Sequence, residues 1–262
     1  SVQGIPECEL RKFFLLYEHM GPSAYVMDAD GRIDMDLLVN HEVWQRDIDF
    51  MVRKMILPNQ KRYVMINGKA IIYLWAPTAM YGDLPSLLNE SRDKYPVVFL
   101  GSAGILGQSE DELPTDETLK SLDGFMDYSM LLPNYDEMVK TYIENSRILR
   151  GKINLWKKET GRNYVFVPTF MWAFDNSRWP GATAPQMYPQ TKQVVVNFAL
   201  QILKAIKEGV FDIQTPFVIW SELYEGAAVI PSQCTQETQN TPTRFVGCGT
   251  ERLEFVQKFF KR

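Results

Sequence analysis

Two glutamates lie close together after an apolar run near the end of the chain. The run FVIWSE, residues 217–222, continues as LYEG, which places Glu222 and Glu225 three residues apart. Side chains alternate in a buried parallel strand, so Glu222 would face inward together with Trp220. Gly226 supplies the flexibility for a turn that would bring Glu225 back towards Glu222. The segment therefore predicts a pair of carboxyl groups at the carboxyl end of a strand.

Such a pair has the chemistry to break a glycosidic bond. One carboxyl group protonates the leaving oxygen while the other acts as a base or a nucleophile. Two close carboxylates also push their pKa values apart, so one of them stays protonated near neutral pH. The competing interpretation is that both glutamates are solvated residues of a surface loop, which is the usual position of Glu. On the spacing alone, the surface-loop interpretation is the stronger one.

The composition is that of a globular protein with one large core. Hydrophobic residues make up 45% and aromatic residues 13% of the 262 residues. The net charge of -4 provides no basic surface for phosphates, so no nucleic-acid partner is expected. The longest apolar runs, 70–77 and 165–174, are far shorter than the roughly 20 residues that span a bilayer, so no membrane span is expected. The chain begins with Ser1, which suggests a processed or trimmed product and leaves the compartment open.

The residue types do not predict a metal site. The histidines are His19 and His41, and no spacing around them resembles a metal-binding motif. The three cysteines are too sparse for a disulfide framework and lack the close pairs of a zinc site. Cys234 and Cys248 share one polar loop, where a disulfide bridge and free thiols are both open, and Cys8 lies far from them.

The elements that must position the glutamates follow a βα pattern. Short runs rich in β-branched and aromatic residues alternate with stretches of helical period, which is typical of a parallel sheet. Continuous apolar character is expected for strands that are covered on both faces. The candidate strands are residues 13–18, 70–75, 97–102, 124–129, 164–171 and 217–222.

We expect an α/β fold of the (β/α)8 TIM-barrel type, in one domain over residues 1–262. Such a barrel takes about 250 residues and has eight strands. Six strands are visible in the sequence. Either two strands escape the pattern, or the first two βα units are absent from this chain.

Two helices are predicted in the first part of the chain from the spacing of apolar residues. The first covers residues 42–56 and is expected to end before Pro58. The second covers residues 136–158, where Gly151 is a position at which the helix could break. Their apolar stripes consist of Trp44, Ile48, Met51, Val52 and Met55 in the first helix and of Val139, Tyr142, Ile153 and Trp156 in the second.

Two more helices are predicted towards the end of the chain. The helix at residues 191–208 should be capped by Gly209 in the left-handed conformation. The last helix should begin after Thr250, a residue type that caps helix amino ends. The apolar stripes consist of Val195, Phe198, Ile202 and Ile206 in the former and of Leu253, Val256 and Phe260 in the latter.

The segment WSELYEGAAVIPS, residues 220–232, resembles a signature of glycoside hydrolase family 99 and its bacterial relatives. That signature ends the barrel and reads roughly W-N-E-W-x-E-G, followed by a hydrophobic residue and E-P or P-S. Here Ser221 replaces the usual Asn and Leu223 replaces the usual Trp, while Glu222 and Glu225 are kept. The resemblance therefore keeps both carboxyl groups and changes residues beside them.

Two other segments resemble the same family in order and spacing. VPTFMWAFDNSRWPG, residues 167–181, is similar to the family's P-x-x-x-P-G-[FWY]-D-N stretch, with Asp175 and Asn176 matching. RYVMINGKAIIYLW, residues 62–75, resembles the family's Y-x-x-I-x-G-K-P-V-x-x-I-Y segment. The resemblance spans most of the chain from Phe13 onward, and what is missing corresponds to the family's first two strands.

The resemblance implies an endo-acting hydrolase of α-mannosides or related α-linked glycans, with an oligosaccharide or polysaccharide as its substrate. It implies retention of anomeric configuration and no metal or other cofactor. Glu222 is implied as the base that deprotonates the sugar's 2-hydroxyl, which then attacks the anomeric carbon. Glu225 is implied as the general acid/base.

Substrate contacts are predicted at strand ends, where aromatic rings can cover the C–H faces of sugars and polar groups can bind hydroxyls. For the aromatic residues the alternative is plain packing in the core or rim. For Asp175 and Asn176 the alternative is a turn that binds its own backbone. The predicted substrate-binding residues are Tyr17, Glu18, Trp75, Tyr128, Trp172, Asp175, Asn176, Trp179 and Tyr224.

Two other functions stay open at this point. The replacements Ser221 and Leu223 are compatible with a relative that binds carbohydrate without turnover. A polysaccharide-biosynthesis protein is the second alternative, because relatives occur in such gene clusters. The sequence has no phosphate-binding Gly-rich loop of the kind that many nucleotide-dependent enzymes use.

Overall fold

The structure is a computed structural model that describes residues 13–17, 25–75, 77–102, 116–127, 135–170, 192–213, 217–218 and 258. The described residues belong to two compact units. Unit 1 takes its residues from Ser1–Ala103, Glu110–Phe125 and Arg162–Tyr164. Unit 2 takes its residues from Gly104–Ser109, Met126–Gly161 and Val165–Arg262.

Unit 1 is a mostly parallel sheet with helices between its strands. Its strands are β1 (Leu15–Tyr17), β2 (Ile33–Asp34), β3 (Met65–Ile66), β4 (Lys69–Leu74), β5 (Met80–Tyr81), β6 (Val97–Gly101) and β7 (Gly124–Phe125). Its helices are α1 (Leu38–Phe50), α2 (Leu84–Lys94) and α3 (Asp116–Ser121). Strands β1, β4, β6 and β7 pair in that order, all parallel, and β3 adds to β4 antiparallel. Strands β2 and β5 form a separate parallel pair.

The central strands of unit 1 are covered on both faces, as their continuous apolar sequence predicts. Every residue of β4 except Lys69 is buried. Helix α1 packs against α2 through Trp44, which is fully buried and whose indole Nε1 donates to Ser91 Oγ at 3.0 Å. The predicted strands at 13–18, 70–75, 97–102 and 124–129 are confirmed as β1, β4, β6 and β7, with shorter bounds.

The first predicted helix differs from the expectation in its later half. Regular α-helix ends at Phe50, a π-helical turn covers Met51–Ile56, and a 3-10 segment, Leu57–Arg62, includes Pro58. The α- and π-helical run thus ends at Ile56, as expected before Pro58, and Pro58 lies in the first turn of the 3-10 segment, where proline is tolerated. The π turn adds a residue and shifts the apolar face. As a result Ile56 is buried at 2% exposure, whereas Met55 is 38% exposed.

Unit 2 contains α4 (Tyr135–Thr160), β8 (Val165–Phe166), β9 (Thr169–Phe170), α5 (Lys192–Lys207) and β10 (Phe217–Val218). Strands β9 and β10 are parallel. The predicted strand 164–171 is therefore two short strands, β8 and β9. The predicted strand 217–222 is confirmed at residues 217–218, and its other residues lie outside the described ranges. Helix α4 runs unbroken through Gly151, so the break that this glycine would allow does not occur. A glycine costs a helix about 1 kcal/mol relative to alanine, which the burial of the stripe on either side outweighs.

The carboxyl end of α5 is confirmed as predicted. Gly209 has φ +75°, and the amide of Val210 donates to the carbonyl of Ala205 at 3.0 Å. This is the hydrogen-bond pattern of a left-handed glycine cap. Of the last predicted helix, Lys258 is described and is helical, while Thr250 lies outside the described residues. Among the helices of the described ranges, none is long and apolar enough to cross a membrane.

An ion pair ties the helix α2 to the amino end of β7 in unit 1. Arg92 Nε lies 2.9 Å from Asp123 Oδ2, and the same oxygen accepts the amide of Phe99 at 2.8 Å. The amide of Asp123 donates back to the carbonyl of Phe99 at 2.8 Å. The guanidinium group lies 5.5 Å above the Phe99 ring. We call this arrangement of Arg92, Phe99 and Asp123 the first amino-end clamp.

Unit 2 repeats the same arrangement with different residues. Arg150 Nη2 lies 2.8 Å from Asp212 Oδ2, which also accepts the amide of Phe166 at 2.7 Å. The amide of Asp212 donates to the carbonyl of Phe166 at 2.8 Å, and the guanidinium group lies 5.6 Å above the Phe166 ring. We call Arg150, Phe166 and Asp212 the second amino-end clamp. In both units an arginine before a strand is thus joined to an aspartate after it.

Candidate active site

Two of the predicted site residues lie at described strand ends. Tyr17 and Trp75 are the predicted site residues that fall within the described ranges. The other predicted site residues lie outside them, so their roles stay predictions. These are Glu18, Tyr128, Trp172, Asp175, Asn176, Trp179, Glu222, Tyr224 and Glu225, and the cysteines Cys8, Cys234 and Cys248 lie outside the described ranges as well.

Tyr17 and Trp75 lie side by side at the carboxyl ends of two neighbouring strands. Tyr17 is the last residue of β1, and Trp75 follows the last residue of β4. The amide of Trp75 donates to the carbonyl of Tyr17 at 3.1 Å, which extends the parallel ladder by one bond. Functional groups of parallel α/β proteins collect at this end of the strands. The structure therefore brings these two predicted residues together.

The side chain of Tyr17 is directed to α1. Its ring meets Trp44 edge to face at 5.5 Å between centroids, and 7% of the residue is exposed. Its hydroxyl donates to Asp47 Oδ2 at 3.2 Å and forms a short hydrogen bond with the hydroxyl of Tyr25. A phenol has one proton to donate, so Tyr25 is the donor in the bond between the two tyrosines. A substrate contact through the Tyr17 hydroxyl would have to replace one of these bonds.

The surroundings of Tyr17 keep its hydroxyl protonated. Burial raises the pKa of Tyr17 well above its ordinary value, and the neighbouring Tyr25 and Asp47 raise it further. Burial also raises the pKa of Tyr25. Asp47 forms an ion pair with Arg46, whose Nη2 lies 3.0 Å from Asp47 Oδ1. The cluster can thus donate and accept hydrogen bonds, and it does not supply a phenolate base.

A buried amide, that of Asn40, binds two parts of the described segment 25–37, which precedes α1. Asn40 is fully buried, and its Oδ1 accepts the amide of Val26 at 2.8 Å. Its Nδ2 donates to the carbonyls of Val26 at 3.0 Å and of Asp34 at 2.8 Å. Asn40 therefore joins Val26 to the last residue of β2 and satisfies backbone groups that would otherwise need another partner.

Unit 2 contains a buried acidic residue that the sequence reasoning missed. Asp127 lies two residues beyond β7 along the chain and is 3% exposed. The next residue, Tyr128, is predicted as a substrate contact because of its aromatic ring. The available signal was an ionisable residue that directly continues an apolar run, since burying such a residue is costly and therefore informative.

Strand β10, which pairs with β9, precedes the predicted carboxyl groups along the chain. Thr169 is in register with Phe217, and Phe170 with Val218. Along the chain Glu222 follows Val218, the last residue of β10, by four residues. Within the described part of the chain, no group of three or more His, Cys, Asp and Glu side chains could hold a metal ion.

Comparison with known proteins supports the fold. No protein-family model matches this chain, and no curated protein matches it. A solved structure described as a glycoside hydrolase-like protein has a TM-score of 0.63 and 16% identity, and the match covers 96% of this chain and 71% of that one. Two structures of the GH99 endo-α-mannosidase from Bacteroides thetaiotaomicron, one in complex with BIS-TRIS propane, have TM-scores of 0.52 and 0.55 at 15% and 14% identity.

The two endo-α-mannosidase matches cover 84% of this chain and 62% and 64% of the matched chains. This chain thus spans less than two thirds of their length. At such identities the likeness concerns the fold. The resemblance to glycoside hydrolase family 99 inferred from the sequence motifs is confirmed at that level, and the fold is a glycoside hydrolase-like α/β fold with mostly parallel strands.

Proposed function

We propose that this protein is a retaining glycoside hydrolase that cleaves α-mannosides or related α-linked glycans. The observation that carries the proposal is the fold likeness to a glycoside hydrolase-like protein over 96% of the chain and to GH99 endo-α-mannosidase over 84%. The segment WSELYEG adds chemical support, because it keeps Glu222 and Glu225 of the resembling signature. We also propose that residues 1–262 contribute to a single (β/α)8 barrel.

In the proposed mechanism the substrate supplies its own nucleophile. Glu222 takes the proton from the sugar's 2-hydroxyl, and that oxygen attacks the anomeric carbon as the glycosidic bond breaks. Glu225 gives its proton to the leaving oxygen. In the second half Glu225 takes a proton from water, the water oxygen attacks the anomeric carbon, and the 2-oxygen regains its proton from Glu222. Two inversions give net retention, and neither step needs a metal or another cofactor.

The proposed substrate contacts surround these glutamates. Tyr17 and Trp75 lie at neighbouring strand ends, and we propose that both line the sugar site, Trp75 through its ring and Tyr17 through the 7% of its surface that α1 leaves exposed. The remaining proposed contacts are Glu18, Tyr128, Trp172, Asp175, Asn176, Trp179 and Tyr224. The proposed partner is an oligosaccharide or a polysaccharide.

The test uses Glu222→Gln and Glu225→Gln on a panel of α-mannans and α-linked oligosaccharides. Each substitution keeps the size of the side chain and removes its acid/base chemistry, so release of sugar should fall at least about 100-fold. Glu90→Gln is the matched control, because Glu90 is exposed on α2 and contacts Gln45 at 3.3 Å. NMR of the first-formed product should show the α anomer. Wild-type turnover in either active-site variant would refute the assignment.

A carbohydrate-binding protein without turnover is the second candidate, favoured by the replacements Ser221 and Leu223 beside the glutamates. Calorimetric binding of α-linked glycans combined with no hydrolysis across the panel would support it over the hydrolase. Consumption of a nucleotide sugar would point instead to polysaccharide biosynthesis.

A further inference from the structure

Helix α4 has two large apolar side chains on the side that faces away from its buried residues. Ile148 is 64% exposed and Leu155 is 58% exposed, whereas Tyr142, Ile153 and Trp156 are buried. At 3.6 residues per turn, the two exposed residues lie on one side of the helix, nearly opposite the buried ones. A single exposed apolar residue is common on protein surfaces, so exposure alone does not identify an interface. The residues around Ile148 and Leu155 supply the further evidence.

Gly151 lies between the two apolar residues on the same side of α4 and is itself exposed. Glycine weakens the interior of a helix relative to alanine. A Cβ at Gly151 would meet nothing within 4 Å, so the fold of this chain has room for alanine at this position. What glycine does provide is a close approach of another backbone, since the distance between packed helices depends on the side chains at their contact. Packing within the chain therefore gives no reason for this glycine, whereas packing against a second helix does.

Two exposed residues of opposite charge lie at the ends of the same side of α4. Glu144 lies seven residues before Gly151, and Lys158 lies seven residues after it. Neither takes part in an ion pair within the part of the chain that the structure describes. At 1.5 Å per residue they are about 21 Å apart along the helix axis, so they do not reach each other within one chain. We call Glu144, Ile148, Gly151, Leu155 and Lys158 the α4 stripe, and helical spacing places all five within about 80° around the helix axis.

The α4 stripe is complementary to its own reversed order. In two antiparallel copies related by a two-fold axis at Gly151, Glu144 of each copy faces Lys158 of the other, because both lie seven residues from the axis. Ile148, three residues before the glycine, then faces Leu155, four residues after it. A parallel pair would instead place Glu144 against Glu144 and Lys158 against Lys158, and like charges in contact are unfavourable. The stripe therefore fits a second copy in the antiparallel orientation.

We propose that the α4 stripe is the contact surface of a homodimer in which the α4 helices of two copies cross antiparallel at Gly151. The partner is a second copy of this chain, because both the charges and the apolar residues of the stripe match their own reversed order. A contact confined to a stripe of about 21 Å buries less than the roughly 800 Å² per partner of a standard interface, so the dimer is weak and reversible. The proposal does not depend on the proposed hydrolase activity.

Sedimentation velocity over a concentration series tests the dimer directly. The wild type should be monomeric at about 1 µM and largely dimeric at about 300 µM, as expected for a small interface. Leu155→Ser should raise the Kd at least about 10-fold, because it removes an apolar side chain from the centre of the contact in both copies. Leu38→Ser is the matched control, since Leu38 is a 73% exposed leucine on α1 and lies outside the stripe. A wild type that stays monomeric at every concentration, or a Kd that Leu155→Ser leaves unchanged, overturns the proposal.

Charge reversal tests the antiparallel orientation. Glu144→Lys and Lys158→Glu should each raise the Kd about 10-fold, because either change turns both ion pairs of the symmetric dimer into repulsive pairs. The combined variant should return to a Kd near that of the wild type, because opposite charges face each other again. The two positions do not meet within one chain, so this recovery can arise only between copies. Combined variants that dimerise no better than the single variants overturn the antiparallel arrangement.

Gly151→Ala separates an effect on the interface from an effect on the fold. Alanine should raise the melting temperature of the monomer, measured at about 1 µM, because it favours the helix and its Cβ meets nothing within the chain. The same Cβ should enter the contact between the two helices and raise the Kd. A variant that is more stable as a monomer and dimerises less is the expected result, and it excludes unfolding as the cause. Dimerisation of Gly151→Ala as tight as that of the wild type overturns the crossing at Gly151.

Discussion

Replacing Asp123 by asparagine should destabilise the protein by about 2–3 kcal/mol. The pair is largely buried, since the side chain of Arg92 is 12% exposed and that of Asp123 is 20% exposed. Removal of one partner from a buried ion pair costs about 3–5 kcal/mol, because the other charge stays buried without compensation. The loss of stability is expected at or below the low end of this range, because Arg92 still donates hydrogen bonds to the carbonyl of Ser121 at 2.6 Å and to Asn89 Oδ1 at 2.8 Å.

The substitution of Asp123 by asparagine removes the negative charge and keeps the size of the side chain. The asparagine oxygen can still accept the amide of Phe99, so that backbone bond survives. Burial already lowers the pKa of Arg92, and Asp123 opposes that effect. Without Asp123, the buried charge of Arg92 is no longer compensated, so the folded state is destabilised relative to the unfolded state.

Urea unfolding measures the loss. With a slope of about 3 kcal/mol/M, a loss of about 2–3 kcal/mol lowers the midpoint by about 0.7–1 M. Asp49→Asn is the control, because Asp49 pairs with Lys94 at 2.9 Å and the side chains are 32% and 52% exposed. A surface pair of this kind contributes about 1 kcal/mol or less. Equal midpoint shifts in the two variants would refute the reasoning that burial decides the magnitude.

Two further predictions concern backbone strain and alkaline pH. Gly82→Ala should lower the melting temperature more than Gly31→Ala. Both glycines have positive φ, so the backbone strain of the two substitutions is similar. A Cβ at Gly82 would lie 2.8 Å from the Asp36 carboxylate, whereas a Cβ at Gly31 would meet nothing within 4 Å. Equal shifts would show that the contact is harmless. Stability should also fall as pH rises above about 10, because the tyrosines of the unfolded chain then ionise while burial raises the pKa of the folded ones. The midpoint of urea unfolding, measured as a function of pH, tests this loss of stability. Ionisation of the buried tyrosines in the folded protein, seen as tyrosinate absorbance, would contradict the prediction. The buried tyrosines are Tyr17, Tyr25, Tyr63 and Tyr142.

The strands could be predicted where the sequence carries the whole signal. A run such as AIIYLW is apolar at every position, and the strand it predicts is buried on both faces as β4. Strands β2, β3 and β5 have two residues each. Two residues show no periodicity, and pairing with a distant segment determines their conformation.

The phase of α1 shows a second limit. The apolar spacing identified Trp44 and Ile48 as buried, but it assumed one period over the whole helix. The π turn changes that period at Met51, so Ile56 rather than Met55 reaches the core. Such a turn has no simple residue pattern.

The candidate site was predictable where a motif carried it and not where distant residues meet. Glu222 and Glu225 stand in a recognisable segment, and they stay predictions because they lie outside the described residues. Asp47 binds Tyr17 from 30 positions away, and Arg92 binds Asp123 from 31 positions away. No local spacing indicates such partners, because they meet only once the sheet and helices have packed.

Asp123 shows how one carboxylate can bind several partners at the amino end of a strand. It is bound by the guanidinium groups of Arg92 and Arg162, at 2.9 and 3.2 Å, and it accepts the amide of Phe99 at 2.8 Å. All of these residues belong to unit 1, so the negative charge of Asp123 is compensated within that unit. Asparagine at residue 123 should therefore lower the free energy of unfolding without changing the rate of the proposed hydrolysis, and a loss of activity in the folded variant would contradict this reasoning.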